Sequence, residues 1–447
     1  MYILTNGRLI TRDPDAKGYY EKGAVVFEGS KIVAVGGEAE LTAQYPQAEK
    51  LDARGGVIMP AFINAHTHIY SALARGLSIV GNNPTNFYEV LNGTWWAIDR
   101  HLTLEGTRAS ADALYIDCIK QGVTTIFDHH ASYCQIPGSL FQIGGSAKKF
   151  GIRSCLCYEV SDRDGEEKCL EAIQENADWI TYCQEHKDPM LAAMFGGHAL
   201  FTISDKTFDR MVAANSGRTG YHIHVSEGMN DVYDSLQNYG RRPIQRLQDH
   251  GILGEKTILG HCIHVNTAEM EIIKETGTMV VNNPESNMGN AIGICPVLQL
   301  YKRGILLGMG TDAYTNDMLE SLKVALCSQR SQNCLPNVGW CEVTDMLFKN
   351  NAKIGAKYFP DQLGVLKAGA AADIIVMDYK PFTPFSDENI DGHMIFGMTG
   401  RQCQTTIAAG KVLMQDRQLV GIDEEAENAH ILEASKKLWG SLNHREY

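Results

Sequence analysis

No stretch of this 447-residue sequence approaches the roughly 20 consecutive apolar residues that span a bilayer, so a membrane-crossing helix is not expected. Clustered lysine and arginine are also missing. The 40 basic residues are outnumbered by 53 acidic ones, and a net charge of −13 disfavours a polyanionic partner such as nucleic acid. The twelve cysteines include no Cys-x-x-Cys pair. Cys155 and Cys157, one residue apart in a strand-like run, therefore read as small buried hydrophobes before they read as metal ligands. The start Met1-Tyr2-Ile3-Leu4-Thr5-Asn6-Gly7 has neither the basic residues nor the apolar core of a secretory signal, and a reducing, cytoplasmic location is expected. What is abundant is core-forming material. With 44% hydrophobic residues the chain can bury one barrel-sized domain and a smaller one.

The smaller unit is legible at both ends. Short β-rich runs (Met1–Leu4, Gly23–Phe27, Lys31–Val35) alternate with Gly and Asp turns before residue 58, and the pattern returns in Asp373–Asp378 and Thr405–Leu413. Residues 1–58 with 366–422 are expected to build a small β-sandwich domain, and 423–447 a closing helix, periodic from Glu424 to Leu442. Between them, over 59–365, strands alternate with helical stretches in the order of an α/β fold, a parallel (β/α)8 TIM-like barrel. Eight strands are expected: Val57–His68, Val123–His130, Ile152–Val160, Leu191–Thr202, Tyr221–Glu227, Thr257–His264, Thr278–Asn283 and Ile305–Asp312.

Polar residues gather where those strands end. His66 and His68 close the first, His129 and His130 the second, His224 and Glu227 the fifth, His261 and His264 the sixth and Asp312 the eighth, while His198 lies in the fourth. In a barrel these ends meet at one mouth. A strand also puts residues i and i+2 on one face, so His66-Thr67-His68 delivers two imidazoles to one point. Any one of these histidines could satisfy a local hydrogen bond; the set as a whole points to a metal. Three imidazoles and a carboxylate, His66, His68, His224 and Asp312, suit Zn²⁺ or Fe²⁺, and an open position would hold a water with its pKa lowered toward roughly 7. Glu227, three residues after His224, is placed to shuttle a proton, and His261 or, less favourably, His264 to orient water or substrate. The aromatic stretch Phe87-Tyr88 with Trp95-Trp96 and Asp99 reads as a long loop covering the mouth. Candidate substrate contacts are Asp99, Trp95 and His130.

The segments Pro60–His68, Phe195–His198, His222–Glu227, Gly260–His264, Asn283–Asn287 and Gly310–Asp312, in that order and spread over nearly the whole chain, resemble the metal-dependent amidohydrolase superfamily. Within it the chain is similar to the branch of guanine deaminase, methylthioadenosine/S-adenosylhomocysteine deaminase and triazine hydrolases. It looks most like the SsnA-type aminohydrolases, through Ile69–Gly76 and Gly392–Met398. The resemblance implies a mononuclear zinc deaminase with His66, His68, His224 and Asp312 as ligands, Glu227 as proton shuttle, His261 as catalytic histidine, His198 at a substrate-contacting position, and a homodimer. Two positions depart from the pattern. Ala61 stands where relatives usually have Gly, and Gly289 stands where methylthioadenosine-specific members tend to have Lys, which points away from the nucleoside.

The expected function is hydrolytic removal of ammonia from an amino-substituted N-heterocycle, a purine-type base, with one divalent ion and a small uncharged substrate. The same groups could instead release chloride or an alkylamine from a triazine, or open a cyclic amide. A non-catalytic binding protein on the barrel frame would not need His66, His68, His224, Glu227, His261 and Asp312 intact. The Pro-Cys-x-x-Cys of nucleobase-flipping deaminases is absent, which disfavours nucleic-acid editing.

Overall fold

The computed structural model describes residues 1–447. Its centre is a parallel barrel of strands Phe62–Thr67, Val123–His130, Arg153–Tyr158, Leu191–Ala199 interrupted at Met194, Tyr221–Val225, Ile258–His261, Met279–Asn282 and Leu307–Met309. Neighbouring strands pair in chain order, in a four-stranded and a five-stranded arc. Two bridges join the arcs: Val160 with Gly197, and Thr67 with Asp312. The second closes the barrel beside the histidines. Strands such as Val123–His130 are buried along their whole length, as a sheet covered on both faces requires, and their β-branched residues suit that surface.

Inward-facing side chains, among them Ile63, Phe127, Cys155, Cys157, Met279 and Val281, form a packed apolar floor inside the barrel. The two cysteines are thus floor residues. A larger cluster of 83 buried residues fills the space between strands and surrounding helices. Those helices carry ordinary punctuation: Leu104–Gln121 starts at Thr103, whose hydroxyl accepts from the Gly106 N–H, and stops at left-handed Gly122.

Both chain ends share one nine-stranded sheet, ordered from the C-terminal hairpin strands through Ile374–Met377 and Val57–Pro60 to Tyr2–Ile10, Tyr19–Glu28 and Lys31–Gly37. The run expected as a single strand, Val57–His68, is therefore two. Val57–Pro60 pairs antiparallel with Ile374–Met377, and after Ala61 the chain enters the barrel at Phe62. Proline supplies no N–H to continue a ladder, so the change of sheet falls where one donor is missing. Thr405–Leu413 also divides, into a hairpin turning at Ala409-Gly410. The closing helix spans Glu424–Asn443. No helix is long and apolar enough to cross a membrane.

Buried Arg153, at the base of the third barrel strand, pairs with buried Asp373 beside Ile374, tying the barrel to the terminal sheet. Asp373 also accepts from the Ala409 N–H at 2.7 Å.

Candidate active site

The C-terminal ends of the first, fifth, sixth and eighth strands bring His66, His68, His224, His261 and Asp312 together, all buried. Three of these ends turn through left-handed backbone: φ is +50° at Ser226, +70° at His261 and +58° at Asp312. Such conformations cost a non-glycine residue of the order of 1 kcal/mol each, and they aim side chains inward where a continuing strand would not. Gly310 permits the last approach. A Cβ there would lie 2.7 Å from the His66 carbonyl oxygen and 2.5 Å from Asn283 Oδ1. The Thr311 and Asp312 N–H groups both donate to that carbonyl, at 3.0 Å.

Each imidazole is held from behind through Nδ1. His68 Nδ1 lies 2.6 Å from the His129 carbonyl and His224 Nδ1 2.8 Å from the His198 carbonyl. His66 Nδ1 meets His222 Nε2 at 2.8 Å, and His261 Nδ1 meets Asn287 Oδ1 at 2.7 Å. A carbonyl oxygen only accepts, so His68 and His224 carry their proton on Nδ1 and present a bare lone pair at Nε2. Those two Nε2 atoms are 3.2 Å apart. His66 Nε2 is buried without any hydrogen-bond partner, and Asp312 reaches in with Oδ1 3.4 Å from His68 Nε2 and Oδ2 3.9 Å from His66 Nε2. Protonating the cluster is disfavoured, since burial and neighbouring histidines push His66 and His224 well below the ordinary imidazole range. Lone pairs and a carboxylate converging in a buried pocket fit a divalent cation: His66, His68 and His224 lie within reach of one ion, and Asp312 joins the same point with His66 and His261.

Glu227 and His261 flank this point. His261 Nε2 is 3.3 Å from Asp312 Oδ2 and 3.5 Å from Glu227 Oε1, and has no hydrogen-bond donor facing it. Burial, then the nearby Asp312, raise the Glu227 carboxyl well above the ordinary range. His264 lies apart, with Nε2 against the Ile292 carbonyl at 2.8 Å.

The remaining residues divide. His198 and Trp95 line the small cavity over Glu227 and Asp312, with Tyr70, Phe87, Leu91 and Trp96 as its apolar side. The stretch expected as a loop is helical instead: Phe87–Val90, a wider π turn Leu91–Trp95, then Trp96–Asp99. The bulge turns Trp95 toward the cavity while Trp96 is buried against His198, ring centroids 5.7 Å apart. Asp99 and His130 do not reach the cavity wall. Asp99 is fully buried and ion-paired with Arg163. Strand alternation sends His130 away from the axis, between Tyr70 and Tyr158, while His129 points inward to His224 at a centroid distance of 4.4 Å.

Residue patterns missed Glu159, a buried carboxylate on the cavity wall just past the third strand, and the orienting partners His222 and Asn287. Glu159 fell inside the expected strand Ile152–Val160, and the available signal was its parity with Cys155 and Cys157, which puts all three on one face. At Gly289 an added Cβ would lie 2.4 Å from the hydroxyl of Tyr314, so a side chain there would need that exposed ring to move.

Strands, floor and mouth define a divalent-metal barrel hydrolase. The amidohydrolase family model matches residues 57–413, and the chain belongs to that family. Residues 23–48 match an imidazolonepropionase-like composite domain of bacteria. The chain is 29% identical over 449 residues to a 5'-deoxyadenosine deaminase of Methanosarcina mazei, covering 99% of both. It is 31% identical over 401 residues to a 5-methylthioadenosine/S-adenosylhomocysteine deaminase of Thermococcus sibiricus, covering 88% of this chain and 90% of that one. An adenosine deaminase of Xanthomonas campestris, crystallised with zinc, superposes with a TM-score of 0.82 at 22% identity over 98% of both chains. The protein is a hydrolase acting on C–N bonds of cyclic amidines.

Proposed function

We propose that this protein hydrolytically deaminates a neutral, adenine-type purine taken as the free base, with Zn²⁺ as the working ion. The observation that carries the reading is the convergence of back-tethered imidazoles and Asp312 on one point, with the Glu227 carboxyl beside it. A divalent ion bound there supplies Lewis acidity that makes a water nucleophilic near neutral pH. Glu227 donates its proton to the ring nitrogen adjacent to the amino-bearing carbon, which makes that carbon electrophilic. His261, its Nδ1–H fixed by Asn287, offers Nε2 as the base that accepts a proton from the attacking water. Asp312, 3.3 Å away, stabilises the resulting imidazolium. The Glu227 carboxylate then takes the hydroxyl proton of the adduct and hands it to the amine; the C–N bond breaks, ammonia leaves, the oxo-heterocycle forms, and His261 returns its proton to Glu227.

A second reading, a 5'-uncharged adenosine as substrate, is favoured by the names of the relatives. Gly289, standing where a Lys is expected of methylthioadenosine-specific relatives, favours the base. Ammonia release from adenine, guanine, 5'-deoxyadenosine, methylthioadenosine, aminopyrimidines and triazines tests both. Turnover confined to the triazines, with loss of chloride or alkylamine, would replace deamination by the related hydrolysis.

A further inference from the structure

Glu159 has no part in the proton transfers above, yet it sits on the cavity wall with an unusual set of neighbours. Its Oε1 accepts from Arg163 Nη1 at 2.8 Å, and its Oε2 takes no hydrogen bond from the protein. The imidazoles facing it are acceptors too. His129 Nε2 lies 3.0 Å from the Gly197 carbonyl and 3.2 Å from the His222 carbonyl, which fixes the proton there and leaves Nδ1 as a lone pair 3.6 Å from Glu159 Oε2. His198 Nδ1 donates to Thr202 Oγ1 at 2.7 Å, because that hydroxyl spends its own proton on the Ala199 carbonyl at 3.0 Å. His198 Nε2 is therefore a second lone pair, 4.0 Å from Glu159 Oε1.

Arg163 does not offset this on the substrate's behalf. Its guanidinium is shared among Asp99, Glu159 and Asp164, and its plane is covered by Tyr133 at 4.2 Å and Trp96 at 5.0 Å. On the Glu159 side the wall consequently shows the cavity acceptors, and no Lys or Arg lines it; the Tyr70 hydroxyl and the Trp95 and Trp96 indoles are donors of its aromatic side. A buried carboxylate with an unused oxygen costs stability unless a donor completes it, and the cavity side is where a donor can arrive.

We infer that Glu159 is a specificity-determining residue: it accepts a hydrogen bond from a donor on the substrate, a ring N–H or a sugar hydroxyl, and the same wall rejects anionic groups. The inference rests on the purine reading for its probes, and Arg163 acts as a positioning residue that holds the carboxylate in place.

The test measures binding, so that it stands apart from turnover. Metal-loaded Glu227→Gln protein is titrated calorimetrically with donor-bearing and donor-blocked pairs, adenine against 9-methyladenine and 5'-deoxyadenosine against 2',3',5'-trideoxyadenosine, and with adenosine monophosphate. Losing a hydrogen bond to a charged acceptor should weaken the blocked member of one pair by about 10- to 100-fold, and which pair responds tells base N–H from sugar hydroxyl. Adding Glu159→Gln turns the free oxygen into a donor. It should bring that ratio within about threefold and strengthen monophosphate binding. Glu159→Asp should keep the preference in weakened form, and it replaces Glu159→Gln if that variant loses its metal or its cooperative melt. Equal binding within both pairs by the parent, or an unchanged ratio in Glu159→Gln, overturns the assignment. Discrimination that depends on Glu159 together with no ammonia release by the wild type would leave the assignment intact and remove the deaminase reading.

Discussion

His222 is the residue whose replacement tests the metal assignment most sharply, because the structure gives it one task there. Its Nε2 is the single partner of His66 Nδ1, at 2.8 Å, and both rings are fully buried. His222→Phe keeps a planar ring of similar size and removes the nitrogen. The His66 ring then loses the contact that fixes its tautomer and rotation, and a buried imidazole nitrogen is left unpaired at a cost of about 1–3 kcal/mol. At 1.4 kcal/mol per tenfold, that cost corresponds to a divalent-ion affinity lower by about 5- to 150-fold, which brackets the roughly 10- to 100-fold usual for partners that orient a ligand. Competition against a chromophoric chelator reads the affinity, and elemental analysis at saturating ion reads the stoichiometry. Stoichiometry should stay at about one per chain, since His66, His68, His224 and Asp312 remain. Unchanged affinity would show that His66 needs no orienting partner. Loss of the ion even at saturation would make His222 itself a ligand and refute the assignment of His66 Nε2.

Three further outcomes are expected. Glu227→Gln should retain its metal while activity on the best substrate falls by about 100-fold or more, whereas His66→Ala should lose both; normal turnover by Glu227→Gln would move the proton shuttle elsewhere. Arg153→Met should cost about 3–5 kcal/mol in denaturant unfolding by stranding the buried Asp373 carboxylate at the junction of barrel and terminal sheet, and a loss below 1 kcal/mol would show that the pair contributes little. Burial raises Glu285 from 4.5 to about 7, so the folded state holds its proton more tightly than the unfolded one; its stabilisation is complete below about pH 4.5 and is lost as pH rises through 7. Glu285→Gln should flatten that limb of the stability curve by up to about 2 kcal/mol, and an unchanged slope between pH 4.5 and 8 would contradict it.

Much of the fold was legible because barrel strands buried on both faces leave continuous β-branched runs, and because chemistry collects at their C-terminal ends. His66-Thr67-His68 and His224-Val225-Ser226-Glu227 carry their meaning in local spacing. What local spacing does not carry is a change of sheet within one apolar run, as at Ala61, where one of the two pairing partners of Val57–Pro60 lies more than 300 residues away. Nor does it show the side to which a terminal residue turns. His129 and His130 are equally histidine, and only the phase of the strand decides that the first faces His224 and the second the outer aromatic layer. Asp99 was expected at the substrate because an acidic residue near the mouth is eye-catching, but a helical turn instead of a loop hands it to Arg163.

The least legible layer is the one that makes the histidines chemically useful. His68 and His224 are forced to bare their Nε2 lone pairs by two backbone carbonyls, those of His129 and His198. A carbonyl is contributed by every residue type, so no choice of amino acid at 129 or 198 advertises that role. The barrel supplies it instead: adjacent parallel strands run in step, and each strand end places its last carbonyls beside the side chains of its neighbour. The side chains of His129 and His198 are thereby released for a second use. They present their own lone pairs to Glu159, one turn of the barrel wall away from the metal ligands their backbones orient. The same two residues thus build the electron-rich floor that fits a cation and the acceptor wall that calls for a substrate donor. A substitution at either should therefore be read first for metal content and only then for substrate preference.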